Sequence, residues 1–380
     1  MKTYDIVFIG VGASALMASA FLDRSLRVAF IEKSSLIAPK LLISGGGKCN
    51  FTNRNISKKN YLGDEDFIKS ILSRFDQKQL LDFLKSHNLE FELRKDGKYF
   101  CKRSSKDIHK IFTSYLKNFS LFLNHNVEDV KFENGFFIIT SNHKTFRTKK
   151  LVISSGGLSF KNLGATDIGY KIAEKFGHKV TVLNPALVGM TLQREQFWMK
   201  DLSGISLDVS LHVKDKCFRD KILFAHRGIS GPVVLNASLY WQKGEIEIDF
   251  LPGISIKKLL VPKTKKLLSS TLPLPKRFTK EFLKHVKIAD KAVCDLSREE
   301  VENLSVIHSY KFSPAGNFGY TKAEVTKGGV VNDEVDSSTM MSRLKDNLYF
   351  LGEVLDVTGE LGGYNLQWAF STGCIFSKNV

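Results

Sequence analysis

Residues 10–15, Gly10-Val11-Gly12-Ala13-Ser14-Ala15, follow an apolar strand at 4–9 and open an apolar helix that runs to about Asp23. Glycine at the first position permits a tight turn. Glycine at the third lets backbone approach a pyrophosphate, and small Ala15 lets helix and strand pack closely. The free amides of the first helical turn, Ala13 and Ser14 among them, hold phosphate charge. Residues 27–31 read as the next strand. Glu32, at its end and 22 residues after Gly10, is placed to accept hydrogen bonds from a ribose, with Lys33 beside it. A plain glycine turn would need neither the acid nor its spacing, so this unit is expected to bind a dinucleotide.

A second group offers redox chemistry. Ser44-Gly45-Gly46-Gly47-Lys48-Cys49-Asn50 sets three glycines in a row. That lets backbone lie against a flat ring with amide donors aimed inward. Lys48 is expected to neutralise phosphate or a reduced ring. Cys49 is the titratable group expected to face that ring. An unperturbed thiol, with a pKa of about 8.5, is mostly protonated at neutral pH and can give a proton to carbon. A buried packing cysteine is the competing reading. His226 is the second candidate acid, set against a hydrogen-bonded structural histidine.

The far end of the chain selects the dinucleotide. Residues 348–353 form an apolar strand that ends in Gly352 and Glu353, and Gly362-Gly363-Tyr364-Asn365-Leu366-Gln367 then opens a helix. Such a return brings backbone to a ribityl chain and aims a helix N-terminus at a flavin pyrimidine. The positive helix end stabilises charge that grows on reduction. A nicotinamide dehydrogenase needs no such return, so FAD is the expected cofactor. Tyr364 is expected to cover the flavin or orient substrate. Asn365 is expected to cap the last helix while touching the flavin. No second fingerprint of this kind occurs in a βαβ context, so NAD(P)H, the expected electron donor, docks without a Rossmann domain of its own.

The elements that position these residues follow from periodicity. Residues 61–88 and 108–116 read as amphipathic helices, 91–101 as a hairpin about Asp96-Gly97, and 127–148 as a three-stranded meander. Residues 151–154 are a separate buried strand ending in Ser155-Gly156-Gly157. From Pro185 the pattern changes to short alternating strands at 206–213, 217–224 and 245–250. Residues 256–303 read as helical and basic, and 318–331 resume strand-like patterning. The expected fold class is α/β: a Rossmann-like FAD-binding domain interrupted by an insert made of a small β-barrel and a helical subdomain. The cofactor domain is expected over 1–184 and 332–380, the barrel over 185–255 and 304–331, and the basic helices over 256–303.

Composition narrows the class further. A length of 380 residues with 43% hydrophobic content fits a soluble globular chain of two or three domains. The first strand begins directly after Lys2, so no signal peptide is expected. The longest apolar stretch, 11–22, is too short to span a bilayer. Five cysteines (Cys49, Cys101, Cys217, Cys294 and Cys374) form no CxxC pair, which points to a reducing cytoplasm and away from a zinc site. The net charge of +17 is unevenly spread: residues 256–291 carry eleven Lys/Arg against two acids, and 94–117 carry eight against two. Patches of this kind attract polyanions.

The sequence resembles the BaiN/RdsA flavoproteins. The resemblance is carried by Lys40-Leu41-Leu42-Ile43 leading into the glycine run and on to Phe51-Thr52-Asn53. It continues through Ser155-Gly156-Gly157-Leu158-Ser159 with Gly164-Ala165-Thr166, then His226-Arg227-Gly228-Ile229-Ser230-Gly231-Pro232. Thr326-Lys327-Gly328-Gly329-Val330 and Gly352-Glu353-Val354-Leu355-Asp356-Val357 complete it. It implies FAD and a Rossmann-like domain split by a barrel-plus-helices insert. Within it, FAD contacts are expected at Lys40, Leu41, Val127, Ser155, Gly156, Gly157 and Leu366. The chain departs from the pattern at Ala38-Pro39, at Phe160-Lys161-Asn162, and at Met341, where an acid is usual. The resemblance implies two substrate classes, uridine in ribosomal RNA or a small enone-like metabolite of steroid or bile-acid type. Both are C=C reductions, and the basic insert favours RNA. A non-catalytic flavin-containing RNA-binding or redox-sensing protein is the reading from another class.

Overall fold

A computed structural model describes residues 2–380. They form two units, one running to Pro185 and resuming at Val325–Val380, the other Ala186–Glu324.

The first unit is built on a mostly parallel sheet. Strand β1 (Thr3–Ile9) lies between β2 (Val28–Ile31) and a long strand β5 (Thr145–Ile153), both parallel to it. The strand Ser120–Phe122 extends the sheet beyond β2. Every side chain of β2 is buried, as befits a parallel strand covered on both faces. Strand β5 keeps β1 along one edge and changes partner along the other. Its first half pairs antiparallel with Phe136–Ser141, and its last three residues pair in parallel with β6 (Leu348–Phe350). The last strand of the meander and the buried strand, expected as separate pieces, are therefore one continuous strand. Lys149 and Lys150 interrupt the apolar pattern without interrupting the ladder.

Helix α1 (Ala13–Phe21) and the last helix, α3 (Tyr364–Ser377), are apolar on most sides, which suits helices enclosed by protein. They meet at Gly373, where a methyl group would stand 2.2 Å from the Ser14 carbonyl oxygen. Between them in sequence come α2 (Pro39–Gly47), β3 (Asn50–Asn53) and β4 (Lys98–Cys101), with β3 and β4 antiparallel. The single helix expected over 61–88 is three elements. Tyr61–Leu62 pairs with Thr358–Gly359, and the helices Glu65–Arg74 and Gln77–Ser86 each start at a capping aspartate. Asp64 accepts from Phe67 N–H, and Asp76 forms a capping box with Gln79.

The second unit holds an antiparallel sheet of seven strands. Their order is Tyr310–Phe312, Ile246–Asp249, Ser206–Val213, Lys216–Ala225, Gly228–Ser230, Met190–Thr191 and Gly316–Asn317. Only three residues join the two outermost strands in sequence, so the sheet must curl. No ladder closes it among the described residues, and the expected barrel is replaced by an open sheet. The basic segment is a series of short helices, of which Lys276–His285 is the longest.

Residues 325–331, expected in the insert, group with the first unit. Val330 is the cause. Its N–H donates to Val354 O at 2.9 Å, its carbonyl accepts from Asp356 N–H at 2.9 Å, and it bridges Val180. Among the described residues no helix is long and apolar enough to cross a membrane.

Candidate cofactor-binding site

The turn after β1 is fixed by close backbone contact. Gly10 adopts a φ of +95°, and a Cβ there would lie 2.5 Å from Ser155 Cα and 2.7 Å from Ser154 O. Gly10 N–H donates to Ile31 O, Ser154 N–H to Ile9 O, and the Ser154 hydroxyl to Gly10 O, which binds all three strand ends together. Gly12 is different: a Cβ there would meet only Ser154 O, at 3.7 Å. Gly12 is the N-cap of α1 and no side chain caps that helix, so the first-turn amides of Ala13, Ser14 and Ala15 are left to an anion.

Glu32 turns back toward this turn. Its carboxylate accepts from Val11 N–H at 2.9 Å and from Ser34 N–H at 2.8 Å. Burial pushes its pKa up against the pull of those amides. Lys33 beside it is exposed. Glu32 N–H donates to Phe122 O and its carbonyl accepts from His125 N–H, which brings the chain just before buried Val127 alongside.

A second cluster forms around Glu353. Proline at the first position and left-handed Ala38 start α2, and Lys40 on its first turn donates to Glu353 Oε2 at 2.9 Å across 313 residues of sequence. Glu353 Oε1 accepts from Thr326 N–H at 2.9 Å, and Thr326 Oγ1 accepts from Leu158 N–H at 2.7 Å. Gly157 is confined between them, because a Cβ there would stand 2.5 Å from Thr326 Oγ1 and 2.9 Å from Glu353 Oε1. Gly156 adopts a φ of +72°. Lys40, Gly156, Gly157 and Glu353 are thus brought together. Thr326, which holds the cluster, was not among the expected contacts, although the Thr326-Lys327-Gly328-Gly329 run marks the segment. The Ser155 hydroxyl is buried with no partner among the described residues and faces Gly169. Leu41 is the buried residue of α2.

The glycine run is a left-handed turn that follows the regular part of α2. Ser44 turns extended, and Gly45, Gly46 and Gly47 all take positive φ. A Cβ on Gly45 would strike Asn50 N at 2.7 Å, whereas one on Gly46 or Gly47 would meet nothing within 4 Å. Lys48 turns away and donates to Lys102 O at 3.4 Å.

At the N-terminus of α3, Gly363 has a φ of +92° and serves as the N-cap with no side-chain cap. A Cβ on it would lie 2.6 Å from the Thr52 backbone. With its carboxamide oriented to satisfy both ends, Asn50 accepts from Gly363 N–H at 3.1 Å and donates to Tyr99 O at 3.1 Å. Asn365 does not cap α3. Its side chain exchanges two 2.8 Å bonds with the backbone of Gly359, which occupies both its polar atoms. Tyr364 is buried edge-on against Tyr61, its carbonyl accepts from the Tyr61 hydroxyl, and burial lifts its phenol to about 12. Leu366 is half-buried on the same turn. Gly352 N–H donates to Thr372 Oγ1 at 3.0 Å, locking the end of β6 to α3.

The two expected acids are not placed alike. Cys49 has no exposed surface, and its thiol lies against that of Cys101. Burial first, and Cys101 second, push its pKa well above the usual thiol range. This enclosure suits the competing reading of Cys49 as a packing cysteine. His226 lies in the second unit, exposed in the turn between Lys216–Ala225 and Gly228–Ser230.

The HI0933-like protein Rossmann domain matches residues 4–379. The chain belongs to this HI0933-like family. Over 383 residues it is 36% identical to the ribosomal RNA dihydrouridine synthase of Haemophilus influenzae, covering 96% of each chain. It is 36% identical to the Escherichia coli protein of the same name, covering all of this chain and 98% of that one. To the 3-dehydro-bile acid delta(4,6)-reductase of Clostridium scindens it is 29% identical, covering 98% of both. Its fold is similar to that of 3-ketosteroid delta1-dehydrogenase from Sterolibacterium denitrificans, with a TM-score of 0.54, 12% identity, and coverage of 100% and 99%. It is also similar to Mycobacterium smegmatis Sdh1, with a TM-score of 0.52, 15% identity, and coverage of 99% and 68%.

The HI0933-like chain is an enzyme, an oxidoreductase of the FAD-dependent class. Its residues fit that cofactor. The uncapped α1 and the open approach at Gly12 suit a pyrophosphate, and Glu32 at the end of β2 suits a ribose. The open, left-handed Gly46 and Gly47 and the uncapped α3 suit a flat ring with an electron-rich edge.

Proposed function

We propose that this chain reduces the C5=C6 bond of a uracil base in ribosomal RNA, giving dihydrouridine, with FAD as resident cofactor and NAD(P)H as electron donor. The observation that carries the reading is end-to-end similarity, at 36% identity, to two proteins that bear that activity in their names. A cytoplasmic location follows from such a substrate.

The chemistry is that of an activated alkene. The uracil double bond is conjugated to a carbonyl, so it takes a hydride at one carbon and a proton at the next. FAD, when bound and reduced, supplies the hydride. The chain supplies the setting. Gly10, Gly12 and the α1 amides hold a pyrophosphate, and Glu32 accepts from ribose hydroxyls. Glu353 fixes Lys40 as a local cation. The uncapped end of α3 stabilises negative charge. With Cys49 enclosed, the exposed imidazole of His226 is the acid proposed to protonate the second carbon.

Charge supports an RNA substrate. Of the eleven cations in 256–291, Lys257, Lys284 and Lys291 pair with Glu302, Glu281 and Glu300. Lys258, Lys265, Lys266, Lys276, Lys280 and Lys287 are exposed with no carboxylate within 4 Å among the described residues. The second reading, reduction of a small enone, rests on the bile-acid reductase at 29% identity.

Mass spectrometry of ribosomal RNA tests the choice. Cells lacking the gene should lose one dihydrouridine, the wild-type gene should restore it, and His226→Asn should restore it poorly. An unchanged dihydrouridine content in the deletion would refute the RNA reading and leave the enone.

A further inference from the structure

The longest helix of the second unit, Lys276–His285, has two unlike faces. Phe278, Thr279, Phe282 and Leu283 are buried, with Phe278 and Phe282 packed on Phe250. Lys276, Lys280 and Lys284 recur every four residues on the outward side, where neighbours stand one turn apart. Exposed Lys287 follows the helix. Across 276–287 there are five cations against Glu281, which reaches Lys284 at 3.8 Å. A core helix requires only the inner face, so nothing in the packing calls for this spacing of charge.

One edge of the basic face adjoins the short helix Arg194–Leu202. Arg277 ties the two together by donating to Asp201 O and to Ser203 O, the latter at 3.2 Å. Trp198 stacks on His285 at 5.0 Å, and its indole N–H donates to the Tyr310 hydroxyl at 3.1 Å. Residues 197–200 are therefore held firmly against the basic helix. On that fixed segment Phe197 is 42% exposed, with the Lys200 ammonium 3.1 Å from its ring centroid. A lone exposed ring needs no explanation. An exposed ring on a segment packed against the basic helix, with Lys200 over it, has the makings of a stacking platform near a phosphate track. Glu195 and Asp201 are the acids of this short helix, so the platform is near neutral and the track carries the charge.

We propose that the outward face of Lys276–His285 and the ring of Phe197 form a docking surface for single-stranded RNA, with phosphates on Lys276, Lys280 and Lys284 and a base stacked on Phe197. Single strands are favoured over duplex because only unstacked bases present a face to an aromatic ring. A uracil that is to be reduced must itself leave its stack. The surface rests on the RNA reading above and gives it a place on the molecule.

Fluorescence anisotropy with a labelled 12-nucleotide uridine oligomer tests it, using the full chain loaded with FAD. The triple variant K276Q/K280Q/K284Q should lower the slope of log affinity against log salt by about 2, since each phosphate contact on a single strand contributes about 0.7. F197A should bind about tenfold more weakly with the slope unchanged, because stacking is not ionic. F197W should restore affinity, and K131Q/K144Q in the first unit serves as a charge control. Equal loss in the control, or wild-type binding by both the triple variant and F197A, would overturn the surface. Dihydrouridine formation on unmodified ribosomal RNA separates this from the broader reading. Wild-type protein that binds the oligomer through these residues but forms no dihydrouridine refutes the substrate and keeps the surface. Variants that modify limiting RNA at the wild-type rate refute the surface and keep the substrate.

Discussion

Gly10 and Gly12 are two residues apart, yet alanine should act on them in opposite ways. At Gly12 the backbone is extended (φ −85°) and an added methyl meets only Ser154 O, at 3.7 Å. Two small terms apply to the fold. Alanine is a poorer N-cap than glycine by about 0.5–1 kcal/mol. Against that, it restricts the unfolded chain, a gain of about 0.4–1 kcal/mol. The net change should be within about 0.5 kcal/mol. The same methyl lies where a pyrophosphate must approach the α1 amides, so FAD affinity should fall at least about a hundredfold, or roughly 2.7 kcal/mol. At Gly10 the positive φ alone costs alanine about 1–2 kcal/mol. Contacts of 2.5–2.8 Å with Ser154 and Ser155 add about 1–3 kcal/mol of overpacking. Urea unfolding of the FAD-free protein should thus find Gly12→Ala near wild type and Gly10→Ala lower by about 2–5 kcal/mol. Flavin absorbance after gel filtration should find both colourless. A yellow, fully loaded Gly12→Ala protein would remove the pyrophosphate from this turn. A Gly12→Ala fold as weak as Gly10→Ala would refute the space argument.

Cys49→Ala should keep its FAD and its turnover while losing about 1–2 kcal/mol of stability from the emptied space beside Cys101; a colour-retaining variant with no turnover would return Cys49 to catalysis. Glu32 should make FAD retention sensitive to acid. Its carboxylate is the accepting form and burial raises its pKa, so affinity is full well above that pKa and falls as pH drops through it, beginning at a higher pH than an exposed carboxylate would give. Glu32→Gln should flatten this profile, and an unchanged slope in equilibrium FAD titrations from pH 7 to 4 would exclude Glu32 as the ribose acceptor.

The parts of the site legible in sequence are those set by short-range geometry. Gly10, Gly12, Ala15 and Glu32 are tied by one βαβ unit, so their spacing alone carries the fingerprint. The strand Ser206–Val213 alternates cleanly because one face is buried. What sequence hid depends on partners far along the chain. Lys40 and Glu353 meet across 313 residues, and no local pattern announces that pair. Continuous β5 reads as two pieces because Lys149 and Lys150 break its apolar pattern, while the pairing that keeps it whole comes from distant strands. Cys49 reads as a ring-facing titratable group from the glycine run before it, whereas its thiol lies against Cys101 of β4, fifty-two residues on. Other misses had local signals. Asp64 and Asp76 mark helix starts inside 61–88, and Pro39 marks the start of α2 just ahead of the glycine run.

The contact between Ser14 and Gly373 sets an order of events during synthesis. The helix that carries the phosphate-facing amides emerges first, but the helix that packs against it is made about 350 residues later. At about 5–20 residues per second, the N-terminal fingerprint waits roughly 20–70 seconds for its covering helix and for β6. Ala186–Glu324 can complete its own sheet in that interval, since all seven of its strands are already made. Cofactor capture is therefore expected only after β6 and α3 have emerged, when all strands of the second unit are already made.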